Sequence, residues 1–118
     1  MDLEKIRNIC LNKKGVEESF PFDEETLVFK VAGKMFCLLN LEPPHIVNVK
    51  CDPEKAVELR ELYDYVIPGY HMNKKHWNTI ELDKNVNYNL LLEWIDDSYN
   101  LIVGSLSKKA QEDLKKTI

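Results

Sequence analysis

Apolar positions change their spacing several times along the 118-residue chain, and each change marks an element. Leu3, Ile6, Ile9 and Cys10 recur at helical spacing, with Asp2 placed to cap the helix. Lysines at 13–14 and then Gly15 predict its end near Lys14–Gly15. VEESFPFDEE reads as a short edge strand or an extended loop, because Pro21 excludes a central strand. From Thr26 the residues turn β-branched and aromatic, with a break at Ala32–Gly33. That predicts a hairpin of strands 26–31 and 34–40. Leu27, Phe29 and Val31 share one face, and Met35, Cys37 and Leu39 share another; both sets are expected on the core side. Lys30 and Lys34 then face outward near the tip. Pro43–Pro44 ends the second strand, and a third runs from Ile46 to Cys51, with Ile46, Asn48 and Lys50 opposite Val47, Val49 and Cys51.

Asp52, Pro53 and Glu54 form a helix start: a capping carboxylate, then proline at the first helical position. Ala56, Val57, Leu59, Leu62 and Tyr63 supply this helix's apolar side, and it ends around Asp64. A short β-prone piece, 65–67, precedes the Pro68–Gly69 turn signal. Asn85 or Asn87 caps a third helix, whose Leu91, Ile95, Ser98 and Ile102 share a face widened by Leu92, Trp94, Tyr99 and Leu101. Gly104 closes it, and Ser107 starts a short polar last helix. The order α-β-β-β-α-β-β-α with a last helical turn places an antiparallel sheet against helices on one face, within one domain over 1–118.

The stretch from Pro68 to Leu82, PGYHMNKKHWNTIEL, stands apart from this pattern. It reads either as one long strand or as two strands meeting at a tip near Asn73–His76, and Asn-Lys-Lys favours the tip. His71 and His76 are five apart, which places them on opposite faces of a strand; with no cysteine or carboxylate at ligand spacing, no metal or other cofactor is expected. No glycine-rich nucleophile elbow or phosphate loop is present, so a non-enzymatic role is expected for His71, His76 and Ser98. Lysines at a hairpin tip can meet phosphates as point charges, and Trp77 beside them can stack or pack beneath.

Composition changes this picture only in part. An apolar share of 44% with 31% charged residues is that of a folded domain. No apolar run approaches the ~18 residues of a membrane span. The sequence lacks the apolar core of a signal peptide near its start, and Cys10, Cys37 and Cys51 sit singly in apolar patterns; both suit a cytoplasmic location. The net charge of −4 and the pI of about 5.4 weigh against a bulk electrostatic nucleic-acid binder and leave room for a local basic patch.

Four segments, ESFPFDEETLVFKVAGKMFCLL, VKCDPEKAVELRE, PGYHMNKKHWNTIEL and DDSYNLIVGSLSKK, taken in order, resemble the MmcQ/YjbR family of small bacterial proteins over nearly the whole chain. The resemblance implies an α+β two-layer sandwich, α-β3-α-β2-α with an antiparallel sheet, CyaY-like or secretion-chaperone-like. It also implies a double-wing, DNA-binding role, which rests on structural analogy. Carried onto this chain, it places Lys34 at the first wing and Asn73, Lys74, Lys75, His76 and Trp77 at the second. Strand facing adds Lys30 and Lys50. The expected partner is double-stranded DNA, met through its phosphate backbone. The rival expectation is a protein-interaction or chaperone-like module, with Phe22, Tyr70 and Trp77 on an exposed or homodimer face.

Overall fold

The computed structural model describes residues 2–70 and 72–117. Asp2 accepts a hydrogen bond from the backbone N–H of Lys5 and starts helix α1, Leu3–Leu11. The helix ends earlier than the lysines suggested. Lys13 lies past its end and pairs with Asp96, so it ties the chain to a later helix instead of capping this one. Strand β1, Val16–Ser19, takes the edge-strand option, and Pro21 falls in the loop beyond it. Strands β2, Thr26–Val31, and β3, Lys34–Asn40, form the expected hairpin, followed by β4, Ile46–Lys50. Helix α2 spans Pro53–Leu62, with Asp52 accepting from the N–H groups of Glu54 and Lys55. Strands β5, Val66–Pro68, and β6, Trp77–Glu81, flank the unusual stretch. Helix α3, Tyr88–Gly104, is capped by Asn87, and helix α4, Lys108–Lys115, by Ser107.

The six strands form one antiparallel sheet in the order β1-β2-β3-β4-β6-β5. The fold is therefore α+β, with β1 added at the edge of the five strands expected. One sheet face carries the main core. Leu27, Phe29, Val31, Cys37, Leu39, Val47 and Val49 from the sheet pack there with Ile6 and Cys10 of α1, Ala56 and Leu59 of α2, and Leu91, Trp94, Ile95 and Ile102 of α3. Burying each such large side chain contributes roughly 1.5–3 kcal/mol before conformational entropy is set against it.

Two facing expectations are corrected. Met35 leaves the main core and Phe36 enters it, because the β2–β3 register shifts between Phe29 and Lys30. An irregularity of one residue reverses the facing of every position beyond it. Val57, Leu62 and Leu101 lie exposed, since α2 and α3 touch the sheet along stripes narrower than their apolar composition. Ser98, by contrast, is fully buried at a structural post. Its hydroxyl donates to the Phe36 carbonyl at 2.5 Å and accepts from the Lys50 N–H at 2.8 Å. The β3–β4 pairing ends at Cys37–Val49, so the helix hydroxyl bridges the next two backbone groups, where the strands part.

The β2–β3 hairpin turns on Ala32 and Gly33, both at positive φ, 50° and 78°. Two positive-φ residues give the turn whose twist matches the strands, but alanine resists that conformation. Ala32→Asn should raise stability by about 0.5–1 kcal/mol, because asparagine tolerates the left-handed region. Urea denaturation checks this; an unchanged or lower midpoint would show that the turn holds no such strain.

Candidate functional site

Gly69, Tyr70 and residues 72–76 do not project as a free wing. They follow β5, lie back over the sheet face that carries no helix, and lead into β6. The Gly69 N–H donates to the Trp77 carbonyl at 2.9 Å, and the Tyr70 N–H donates to Thr79 Oγ1 at 2.8 Å. Met72 packs on a second small cluster of Val28, Leu38 and Trp77, with Met35 at its edge. Trp77 is 8% exposed, so its indole is the cover of this patch and offers no free ring face. Glycine at 69 is required by proximity: a Cβ there would sit 2.8 Å from Trp77 Cβ and 3.0 Å from its carbonyl oxygen.

Asn73 builds the tip. Its side-chain oxygen accepts from the Lys75 N–H at 2.9 Å, and its carbonyl accepts from the N–H groups of Trp77 and His76. Arg60 of α2 then clamps the loop from the other side of the sheet. Its Nε donates to Asn78 Oδ1 at 2.7 Å, and its Nη2 donates to the carbonyls of Trp77, at 3.2 Å, and Lys74. Buried Asn78 spends its amide nitrogen on the Ala56 carbonyl, so its oxygen relies on Arg60. Sequence reading missed Arg60 because nothing in a lone arginine on a polar helix face signals a loop packed against it.

The cations expected at the site share an end of the sheet but not one face. Lys30 stands across from Met35, and Lys50 across from Trp77; both are half-buried on the open face. Lys34 pairs with Val31, a core residue, and so leaves the exposed hairpin tip on the helix side. Lys75 is exposed, while the exposed Lys74 ammonium reaches back to the Gly69 carbonyl at 3.3 Å. His76 is half-buried, and its carbonyl accepts from the Cys51 N–H at 2.7 Å. His71 lies outside the described residues. No cluster of metal-ligating side chains occurs among the described residues.

The opposite end of the sheet is acidic. Asp23, Glu24 and Glu25 precede β2; Glu42 follows β3; Glu81 and Asp83 lie where β6 ends, with Glu81 across from Ile46. Backbone N–H groups of Thr26 and Glu25 hold the Asp23 carboxyl below the usual carboxylate range. Asp83 is lowered likewise by its bond to His45, 2.9 Å away. The segregation is incomplete, since Glu17 stands across from Lys30 and Asp113 of α4 shares a shallow cleft with it.

Such an architecture defines a small α+β sandwich whose sheet is covered by helices on one face and by a single clamped loop on the other. The YjbR family pattern matches residues 11–101, and the chain belongs to that family. It is 37% identical over 113 residues to the uncharacterized protein YbdF of Escherichia coli O157:H7, covering 95% of this chain and 93% of YbdF. The uncharacterized protein YjbR of E. coli K12 is 29% identical over 113 residues, covering 95% and 96%. The crystal structure of Deinococcus radiodurans protein DR2400, of domain DUF419, superposes with a TM-score of 0.90 at 38% identity, over 96% of this chain and 87% of that one.

Arg60→Ala should cost about 1–3 kcal/mol, because it leaves the buried Asn78 oxygen and the Lys74 carbonyl without this donor and takes one of two donors from the Trp77 carbonyl. Amide hydrogen exchange should show the loss of protection concentrated at residues 74–78. Uniform loss across the chain, or none, would contradict the clamp.

Proposed function

We propose that the lysine-bearing end of the sheet contacts the phosphate backbone of double-stranded DNA, without catalysis. The observation carrying this reading is the gathering of Lys30, Lys34, Lys50, Lys74 and Lys75 at one end while Glu24, Glu25 and Glu81 collect at the other. A net charge of −4 spread evenly would repel a polyanion; sorted by end, it orients one. The contact is backbone-directed, since ammonium groups position a duplex without reading its bases. Glu17 and Asp113 at the same end keep the affinity low. The three buried, unpaired cysteines suit a reducing compartment, and no helix among the described residues is long and apolar enough to cross a membrane.

A second reading, a protein-interaction module, is favoured by Phe22 and Tyr70, which stand 65% and 58% exposed above the open face. It differs in the end of the sheet it uses.

Fluorescence anisotropy with a short labelled duplex separates the two. With about three to four phosphates neutralised, log K should fall against log salt with a slope near −3. Lys75→Ala, which removes an exposed ammonium and keeps the backbone N–H that bonds to Asn73, should weaken binding and flatten that slope by about one. Absence of binding at low salt, or a slope untouched by Lys75→Ala, would sink the DNA reading. A defined dimer in light scattering would favour the second.

A further inference from the structure

The acidic end of the open face holds a feature that a phosphate-contact role does not use. A cleft of about 390 Å³ lies between the β1–β2 loop and the folded-back loop, within the size range of small-molecule sites. Phe22 and Tyr70 stand on its walls, Asp23 and Glu25 on its rim, and Asn40 and Asn48 in its floor.

Asn48 is the telling group. It is 5% exposed, and its side-chain oxygen accepts from Thr79 Oγ1. The hydroxyl of Thr79 has one proton, which it donates there, while one of its two lone pairs takes the Tyr70 N–H. Turning the amide over would leave that proton without an acceptor, so the hydrogen-bond network fixes the orientation. The Asn48 amide nitrogen then has no acceptor among the described residues. Every fully enclosed side-chain polar atom among them is paired, so this NH₂ group opens onto the cleft it lines. A donor held rigidly at the base of a cleft, almost wholly withdrawn from water, is built to meet an acceptor.

The rim supplies the opposite requirement. The Glu25 carboxylate has no cationic partner among the described residues, and Asp23 is held ionised by backbone N–H groups. Two aromatic rings beside two carboxylates make a favourable seat for an organic cation, which the ring faces and the acids attract together. Phosphates are repelled from this end.

We infer that this cleft, formed by Phe22, Tyr70, Asn48 and Glu25, binds a small organic cation that carries a carbonyl acceptor and an apolar body. The carbonyl meets the Asn48 NH₂, the ammonium faces Glu25 and Asp23, and the apolar body lies against the two rings. This site is independent of the lysine end and of the DNA reading.

The test is a titration of ¹⁵N-labelled protein with L-phenylalaninamide, which has all three parts, followed by NMR. Expected are shifts of the Asn48 side-chain amide and of the Thr26 and Tyr70 backbone amides, saturating with a Kd on the order of 1 mM. N-acetyl-L-phenylalaninamide keeps ring and carbonyl but loses the charge, and should bind at least about threefold more weakly. Glu25→Gln, at an exposed position, should weaken the charged probe by a similar factor and leave the acetylated one unchanged. Lys75→Ala should alter neither, which separates this outcome from that of the DNA experiment. Failure of the Asn48 amide to shift by about 20 mM, equal binding of both probes, or indifference to Glu25→Gln would each overturn the assignment.

Discussion

A sheet has two faces, and this chain has helices for one. Helices α1, α2 and α3 all bury their apolar stripes on the same side, against Leu27, Phe29, Cys37, Leu39, Val47 and Val49. Antiparallel sheets can leave their second face wet, but only where its side chains are polar. Here that face carries Val28, Leu38 and Met35 near its middle. The remaining architecture follows from how the chain covers those residues without another helix. It uses Trp77, an aromatic large enough to cap them from within the sheet, and Met72, delivered by the loop before it.

Holding that cover in place has its own requirements. A loop over a sheet must find partners for backbone groups that water no longer reaches. Asn73 satisfies the tip, Thr79 takes the Tyr70 N–H, and Arg60 reaches around from α2 to take two carbonyls. Arginine suits this because one planar fork can serve several acceptors at fixed spacing, which a lysine cannot. The helical and open faces are thereby coupled: moving α2 would move the loop. Ser98 makes a matching link from α3, inserting its hydroxyl where β3 and β4 part.

Local chemistry was legible in the sequence, and juxtaposition was not. Asp52–Pro53, Ser107 and the Ala32–Gly33 turn announce themselves because caps and turns are decided within four residues. The alternation in IVNVK set Val47 and Val49 on one face and Asn48 and Lys50 on the other, and the first pair lies in the main core. Met35 and Phe36 were exchanged because a register shift is a property of two strands together. The folded-back loop was invisible for a stronger reason: it depends on Arg60, on which sheet face the helices choose, and on a close approach at Gly69 that reads in sequence as an ordinary turn glycine. The cleft was missed likewise, since Phe22, Asn48 and Tyr70 come from three separate segments. Asn48 did leave a trace, as a polar residue in mid-strand beside two large apolar ones.

These positions also change what the densest motif of the chain means. A run as particular as PGYHMNKKHWNT invites a functional explanation for every letter. Yet Gly69 is fixed by the approach of Trp77, Met72 and Trp77 by the patch they cover, Asn73 by the tip, and Thr79 by Tyr70 and Asn48. Lys74 is partly engaged with Gly69. Among the exposed side chains of the run are the Lys75 ammonium and the ring of Tyr70. They lie on opposite flanks of the loop, one toward the lysine end and one over the cleft. Arg60 and Thr79 give the described parts of that loop hydrogen-bond partners of their own, so a molecule seated on either flank would meet a surface already formed, at little cost in ordering entropy.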